Sequence, residues 1–121
     1  MRSPRILIVE DEALVALANA ETLQIVGYEV IGVAANHEEA LEAAAESRPD
    51  LVLMDIRLKG SVDGIETARV LKERYGCRIV FVTGQSDRTT WERSRIVEPS
   101  GYLKKPHTPE QLTQLVANAL T

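Results

Sequence analysis

The stretch Leu51-Val-Leu-Met-Asp55 is a continuous apolar run that ends in a carboxylate. Similar short apolar runs lie elsewhere along the chain, at 6–9, 30–33, 79–82 and 101–103. Most of these runs are apolar throughout and do not alternate with polar residues, which is typical of parallel strands covered on both faces. The pattern therefore predicts five strands, of which the last is short.

Helical patterns fill the intervals between these runs. Five segments predict helices, at 12–26, 37–47, 64–75, 87–97 and 109–120. Gly27 ends the first of them, and the fourth stops before Pro99. The last helix has the clearest start, because Thr108 is placed as N-cap, Pro109 takes the first helical position and Gln111 completes a capping box.

The alternation of strand and helix predicts an α/β fold of the (βα)5 type, a parallel sheet with helices on both faces. For five strands the common doubly wound, flavodoxin-like order is 2-1-3-4-5, with its switch point between the first and third strands. We expect residues 1–121 to form one such domain. Ligands of these sheets bind outside the carboxyl ends of the strands, so function should be sought in the residues found there.

The composition excludes several classes of protein. Of the 121 residues, 45% are apolar and 26% are charged, which is ordinary for a soluble domain with a buried core. The net charge of −4 argues against binding to nucleic acid or to an anionic membrane. Cys77 is the single cysteine, no apolar run has the length of a membrane helix, and no signal-peptide pattern is present. We expect a cytoplasmic protein.

Carboxylates follow the two strands beside the switch point. Glu10 and Asp11 come directly after the first strand, and Asp55 ends the third. Three like charges in one crevice repel one another, and a hard divalent cation such as Mg²⁺ relieves that repulsion. Lys105, which follows the fifth strand, can add one further positive charge. The pattern predicts a magnesium site at this edge of the sheet.

A phosphoryl group suits such a site, with Mg²⁺, Lys105 and the hydroxyl of Thr83 sharing its oxygens. The chain contains neither GxxxxGK[ST] nor GxGxxG, so no loop is present to hold the phosphates of a nucleotide. We therefore expect the phosphoryl group to come from another donor and to be captured by a carboxylate nucleophile.

An ordered set of motifs resembles the receiver domain of bacterial two-component response regulators, of the single-domain chemotaxis-protein type. The resemblance extends from Ile6 to about Leu120. It rests on five short segments: Val9-Glu-Asp-Glu12, Leu53-Met-Asp55, Asp63-Gly64, Val82-Thr-Gly84 and Gly101-Tyr-Leu-Lys-Lys-Pro106.

The resemblance implies a phosphoacceptor and its metal. By position Asp55 is the acceptor, and Glu10 and Asp11 hold Mg²⁺ together with it, with Mn²⁺ as a possible substitute. The backbone carbonyl of Arg57 is implied as a further metal ligand.

The resemblance also implies how the phosphoryl group is held and detected. Thr83 bonds a phosphoryl oxygen, Lys105 pairs with it, and Tyr102 is the aromatic residue that moves inward on activation. Arg57 and Gln85, each two residues past a key group, are implied to govern water access and hence the lifetime of the phosphoryl group.

A histidine kinase or a histidine phosphotransfer protein is the implied donor. Phosphorylation is implied to change the surface formed by the fourth helix, fifth strand and fifth helix. A downstream protein or a second copy of the chain is implied to bind this surface. The chain is thus expected to be a monomer or a phosphorylation-promoted dimer. We do not expect it to be an enzyme, apart from catalysing its own phosphorylation and its slow self-dephosphorylation. No output domain is expected within 1–121.

The chain departs from the family pattern in one loop. Residues 56–63 lack the proline common there and are about one residue longer than in the simplest members, with Gly60 available for the turn. The acid–base runs at 72–74 and 92–93 predict solvated helix faces.

Two other interpretations stay open. One is a receiver-like interaction module that takes no phosphate. The other is a small phosphatase of the haloacid-dehalogenase type, but Asp55-Ile-Arg57 lacks the second carboxylate that such an enzyme needs.

Overall fold

The computed structural model describes residues 2–84 and 87–121. Within these residues, strands and helices alternate from end to end, as the sequence predicts. In chain order they are β1 (Arg5–Val9), α1 (Ala13–Ile25), β2 (Glu29–Ala34), α2 (His37–Ser47), β3 (Leu51–Asp55), α3 (Gly64–Tyr75), β4 (Arg78–Thr83), α4 (Arg88–Ile96), β5 (Gly101–Lys104) and α5 (Pro109–Leu120).

The strands form one parallel sheet in the order β2-β1-β3-β4-β5, which confirms the predicted fold. Its switch point lies between β1 and β3, whose paired residues include Val9 and Met54. The carboxyl ends of these two strands therefore lie side by side.

Two apolar cores cover the two faces of the sheet. Successive strand residues alternate between them: Leu7 packs with α2 and α3 on one face, while Ile8 packs with α1 and α5 on the other. Burial on both faces explains why the strands read as unbroken apolar runs.

Side-chain caps fix the starts of four helices. Asn36, Asp63, Asp87 and Thr108 each accept a hydrogen bond from a backbone amide in the first turn of α2, α3, α4 and α5, respectively. The capping box predicted at Thr108 and Gln111 is confirmed. Such caps satisfy amide groups that have no partner within the helix.

Helix α1 is apolar on its outer side as well, where Leu14 and Leu17 are exposed. In the parts of the chain that the structure describes, no helix combines the length and apolar character needed to cross a membrane.

Candidate functional site

Three carboxylates converge at the carboxyl edge of the sheet. Glu10 and Asp11 follow β1 and Asp55 ends β3, and each offers an oxygen within 4.8 Å of the others. Glu10 and Asp55 are buried and Asp11 is half-buried. The structure thus brings together the three acidic residues that the strand ends predict.

Backbone amides hold each of these carboxylates in place. Glu10 Oε2 accepts from the amide of Glu12 at 3.2 Å, and Asp55 Oδ1 accepts from the amide of Arg57 at 3.1 Å. Asp11 Oδ2 accepts from the amide of Lys59 at 3.1 Å, within the long loop between β3 and α3. These bonds fix the orientation of the carboxylates and offset part of their charge.

The predicted turn of that loop is at Gly60, whose φ of 112° is a conformation that favours glycine. The bond from the Lys59 amide places this loop against Asp11, and the three carboxylates still converge.

Lys105 is the cation of the site. Its Nζ lies 3.2 Å from Glu10 Oε1 and 3.4 Å from Asp55 Oδ2. The Lys105 backbone is fixed because its amide donates to the carbonyl of Thr83 at 2.8 Å. The cluster of three carboxylates and one ammonium therefore carries an excess of negative charge.

Burial and mutual repulsion change the acidity of these groups. Burial raises the pKa of Glu10, the nearby Asp55 carboxylate raises it further, and the Glu12 amide and Lys105 offset only part of this. Burial alone lowers the pKa of Lys105, but the charges of Asp55 and Glu10 outweigh it, so the pKa of Lys105 lies above its ordinary value.

The donor set fits a hard divalent cation. All three side chains offer carboxylate oxygens, the ligand type that Mg²⁺ prefers, and their spacing lets one ion contact all of them. In the described part of the chain, this is the one place where three or more potential metal ligands converge.

Thr83 and Tyr102 lie on β4 and β5, the two strands that follow β3 in the sheet. Thr83 ends β4 and pairs with Lys104 of β5, and Tyr102 pairs with Phe81. Thr83 and Tyr102 also line one open cleft with Arg57, so the structure brings these predicted residues together. Gln85 lies outside the described residues.

Tyr102 makes contacts that sequence reasoning missed. Its ring centroid lies 4.6 Å from that of Trp91 in α4, and its hydroxyl lies 2.8 Å from Oγ of the buried Ser94. No local pattern marks Ser94, because its partner is on a different element.

The charged residues at 72–74 and 92–93 lie on largely exposed helix faces, as expected, but two of them also have partners that the charge pattern does not show. Arg93 donates to both carboxylate oxygens of Asp63, at 2.9 and 3.4 Å. Lys72 Nζ donates to the carbonyls of Val97 and Glu98 at 2.9 and 2.6 Å. A charge run gives no sign of such long-range partners.

The fold and the site define a doubly wound α/β domain with an acidic, lysine-paired centre at its switch point. Comparison with known proteins gives the family. The family described as "response regulator receiver domain" matches residues 6–117. The chain belongs to this family, as its motifs indicate.

Relatives and solved structures agree with this assignment. The transcriptional regulatory protein PdtaR of Mycobacterium tuberculosis is 38% identical over 97% of this chain and 57% of its own length. The phyllosphere-induced regulator PhyR of Methylorubrum extorquens is 35% identical over 95% of this chain and 43% of its own length. The chain thus spans about half the length of these relatives.

Among solved structures, the receiver domain of a modulated diguanylate cyclase from Desulfovibrio desulfuricans G20 superposes with a TM-score of 0.91. It is 41% identical, covering 98% of this chain and 94% of that one. A CheY-like receiver domain protein from Methanospirillum hungatei gives a TM-score of 0.89 at 28% identity, over 98% and 94%. The chain is therefore a receiver domain of the kind found in two-component signalling.

Proposed function

We propose that this domain is a phosphorylation-dependent switch whose acceptor is Asp55. The observation that supports this proposal is the environment of the Asp55 carboxylate. It is held by the Arg57 amide, faces Lys105 at 3.4 Å and lies within reach of the Glu10 and Asp11 oxygens. A nucleophilic carboxylate surrounded by cation-binding groups suits phosphoryl transfer.

In the proposed reaction, an Asp55 carboxylate oxygen attacks the phosphorus of a phosphohistidine on a kinase or phosphotransfer protein. The new oxygen–phosphorus bond replaces the phosphorus–nitrogen bond, and the imidazole leaves and takes up a proton. Lys105 then pairs with the charge on the phosphoryl oxygens, and the Thr83 hydroxyl donates to one of them.

Glu10, Asp11 and Asp55 are the residues that would hold Mg²⁺, with the Arg57 carbonyl proposed as a further ligand. Mn²⁺ is expected to substitute. The ion supplies charge neutralisation for the carboxylates and the phosphoryl oxygens.

The change at Asp55 is electrostatic. A carboxylate of charge about −1 becomes an acyl phosphate of about −2, the usual charge of a phosphate group at neutral pH. We propose that the new dianion draws Thr83 toward it and that Tyr102 moves into the space that Thr83 leaves. The surface formed by α4, β5 and α5 then shifts between two pre-existing arrangements, and a downstream partner or a second copy binds one of them.

The lifetime of the acyl phosphate is proposed to depend on Arg57 and Gln85, by control of water access. Slow self-dephosphorylation is the reaction that these residues regulate. We further propose that residues 1–121 act as a single receiver unit.

Intact mass after incubation with acetyl phosphate and Mg²⁺ tests the proposal. The wild-type chain should gain one phosphoryl group, while Asp55→Asn and an EDTA-treated sample should gain none. Asp50→Asn is a matched control, because Asp50 precedes the same strand at its opposite end, where it pairs with Arg2. That variant should be phosphorylated like the wild type.

A phosphorylated Asp55→Asn variant would contradict the assignment of the acceptor. If the folded wild type gains nothing from acetyl phosphate, a phosphohistidine donor is tried next. Failure with both donors would favour a receiver-like module that binds partners without phosphate.

A further inference from the structure

Helix α4 has few buried contacts with the rest of the domain. Of its nine residues, all of them described, Ser94 alone is buried. Ile96 is 80% exposed and Trp91 is 43% exposed. Because so little apolar surface fixes this helix, its position depends on a few side-chain bonds.

One of these bonds joins α4 to the start of α3. The Arg93 guanidinium donates to both oxygens of Asp63, which is also the N-cap of α3 and accepts from the Glu66 amide at 3.0 Å. Burial raises the pKa of Asp63, but Arg93 and the Glu66 amide outweigh it and hold the pKa below its ordinary value. Asp63 is therefore a charged and well-oriented anchor.

The residue after this anchor packs directly on the backbone of Asp55. Gly64 follows Asp63, and a Cβ atom placed on it would overlap the backbone carbonyl of Asp55. The Gly64 amide donates to the carbonyl of Ile56 at 3.0 Å. The first turn of α3 is thus tied to the end of β3, and Asp63 has little freedom to follow a moving α4.

The next residue of α4 joins the helix to β5. The Ser94 hydroxyl donates its proton to the carbonyl of Trp91 at 2.7 Å, so the bond at 2.8 Å between Ser94 and Tyr102 is donated by the Tyr102 hydroxyl. Arg93 and Ser94 therefore link α4 to α3 on one side and to Tyr102 on the other.

We propose that Arg93 is a positioning residue that sets how readily the Tyr102 switch responds to phosphorylation of Asp55. This inference rests on the proposed function. With Asp55 as a free carboxylate, the bridge to Asp63 holds Ser94 where it accepts from Tyr102. On this proposal, Tyr102 gives up that bond when it moves toward Thr83 unless α4 moves with it, and the bridge opposes such a shift of α4. Loss of the bridge should therefore favour the activated arrangement.

Trp91 provides the readout, since it is the one tryptophan of the chain and packs on Tyr102. Its emission is followed while beryllium fluoride, a phosphoryl mimic, is titrated in the presence of Mg²⁺. Arg93→Ala should respond at a concentration about two- to fivefold lower than the wild type, the range expected for a partly exposed ion pair. Arg93→Lys should restore most of the wild-type midpoint.

Arg95→Ala is the matched control, because Arg95 is exposed on the same helix and forms no ion pair with any described residue. Asp63→Asn keeps an N-cap side chain and removes the charge. It should lower the midpoint as Arg93→Ala does, and the double variant should add nothing further. A midpoint for Arg93→Ala equal to that of Arg95→Ala, or higher than that of the wild type, overturns the proposal.

Amide hydrogen exchange separates this inference from the proposed function. In the unmodified protein, Arg93→Ala should speed exchange in α4 and leave α5 unchanged, while Arg95→Ala should change neither. If beryllium fluoride has no effect on the wild type, the proposed function fails. The exchange result still decides whether Arg93 anchors α4, and equal exchange in the two variants overturns the anchor.

Discussion

Helices α4 and α5 lie on opposite faces of the sheet next to β5, and they are held in opposite ways. Helix α5 begins with a capping box and buries Leu112, Val116 and Ala119 in the core. Helix α4 buries Ser94 and contacts its neighbours through Arg93 and Trp91. Extensive apolar burial fixes a helix in one place, whereas a few surface contacts allow a second position at low cost. The comparison indicates that α5 is the more firmly held of the two helices, and α4 is the one that we propose to move most when Asp55 is phosphorylated.

The largest expected loss of stability comes from truncating Leu112, in the first turn of α5. Leu112 is fully buried, so Leu112→Ala removes apolar contacts and leaves a cavity, which costs about 2–5 kcal/mol of stability. The matched change in α4, Ile96→Ala, removes a side chain that is 80% exposed and should cost less than about 0.5 kcal/mol. Urea unfolding measures both. Equal losses would show that α4 contributes to the core as much as α5 does.

A smaller effect is expected at the caps. Thr108 accepts from the Gln111 amide at 3.1 Å, and Asp87 accepts from the Thr90 amide at 2.7 Å. Thr108→Ala should lower the free energy of unfolding by about 1 kcal/mol. Asp87→Ala should lower it by less than half as much, because α4 can open before the rest of the domain unfolds.

The cap comparison is checked by urea unfolding together with amide exchange. Asp87→Ala should speed exchange in α4 far more than it lowers global stability. A global loss as large as that of Thr108→Ala would mean that α4 unfolds only with the core.

A still smaller effect concerns the charge of Asp63. Because its pKa lies below the ordinary value of 3.8, the ionised side chain adds stability that is complete above that value and is lost as the pH falls through the lowered pKa. Asp63→Asn lacks this contribution, so its deficit should be largest at neutral pH and should close below about pH 4. The deficit should stay under about 1 kcal/mol, since the pair is partly exposed. Urea unfolding from pH 7 to 3 tests this, and a deficit that is constant over that range contradicts it.

The fold could be predicted from the sequence because its signals are local. Each strand is an apolar run, and residues such as Thr108 mark helix starts within a few positions. Convergence of Glu10, Asp11 and Asp55 was also predictable, since parallel strands place their carboxyl ends at one edge.

The polar links of α4 were not predictable in this way. Arg93 and Asp63 are 30 residues apart, and Ser94 and Tyr102 meet across two elements. An arginine in a charged helical segment has the same sequence pattern whether it faces water or a distant carboxylate. Only the packed structure distinguishes the two cases.

The smallest expected effect is an unchanged labelling rate of Cys77, and this rate tests how far the opening of α4 extends into the core. The thiol is buried, its Sγ lies 3.6 Å from the carbonyl of Leu71, and burial raises the pKa of Cys77 to about 11. At pH 8 a disulfide reagent should therefore react only when the core opens.

Arg93→Ala, which frees α4, should label at the wild-type rate, while Leu112→Ala should label on the order of 30-fold faster or more, as a loss of at least 2 kcal/mol implies. Cys77 belongs to the apolar core that also includes Val97, next to the end of α4. Faster labelling of Arg93→Ala would thus show that α4 cannot move without loosening this core, and the distinction between a fixed α5 and a movable α4 would fail.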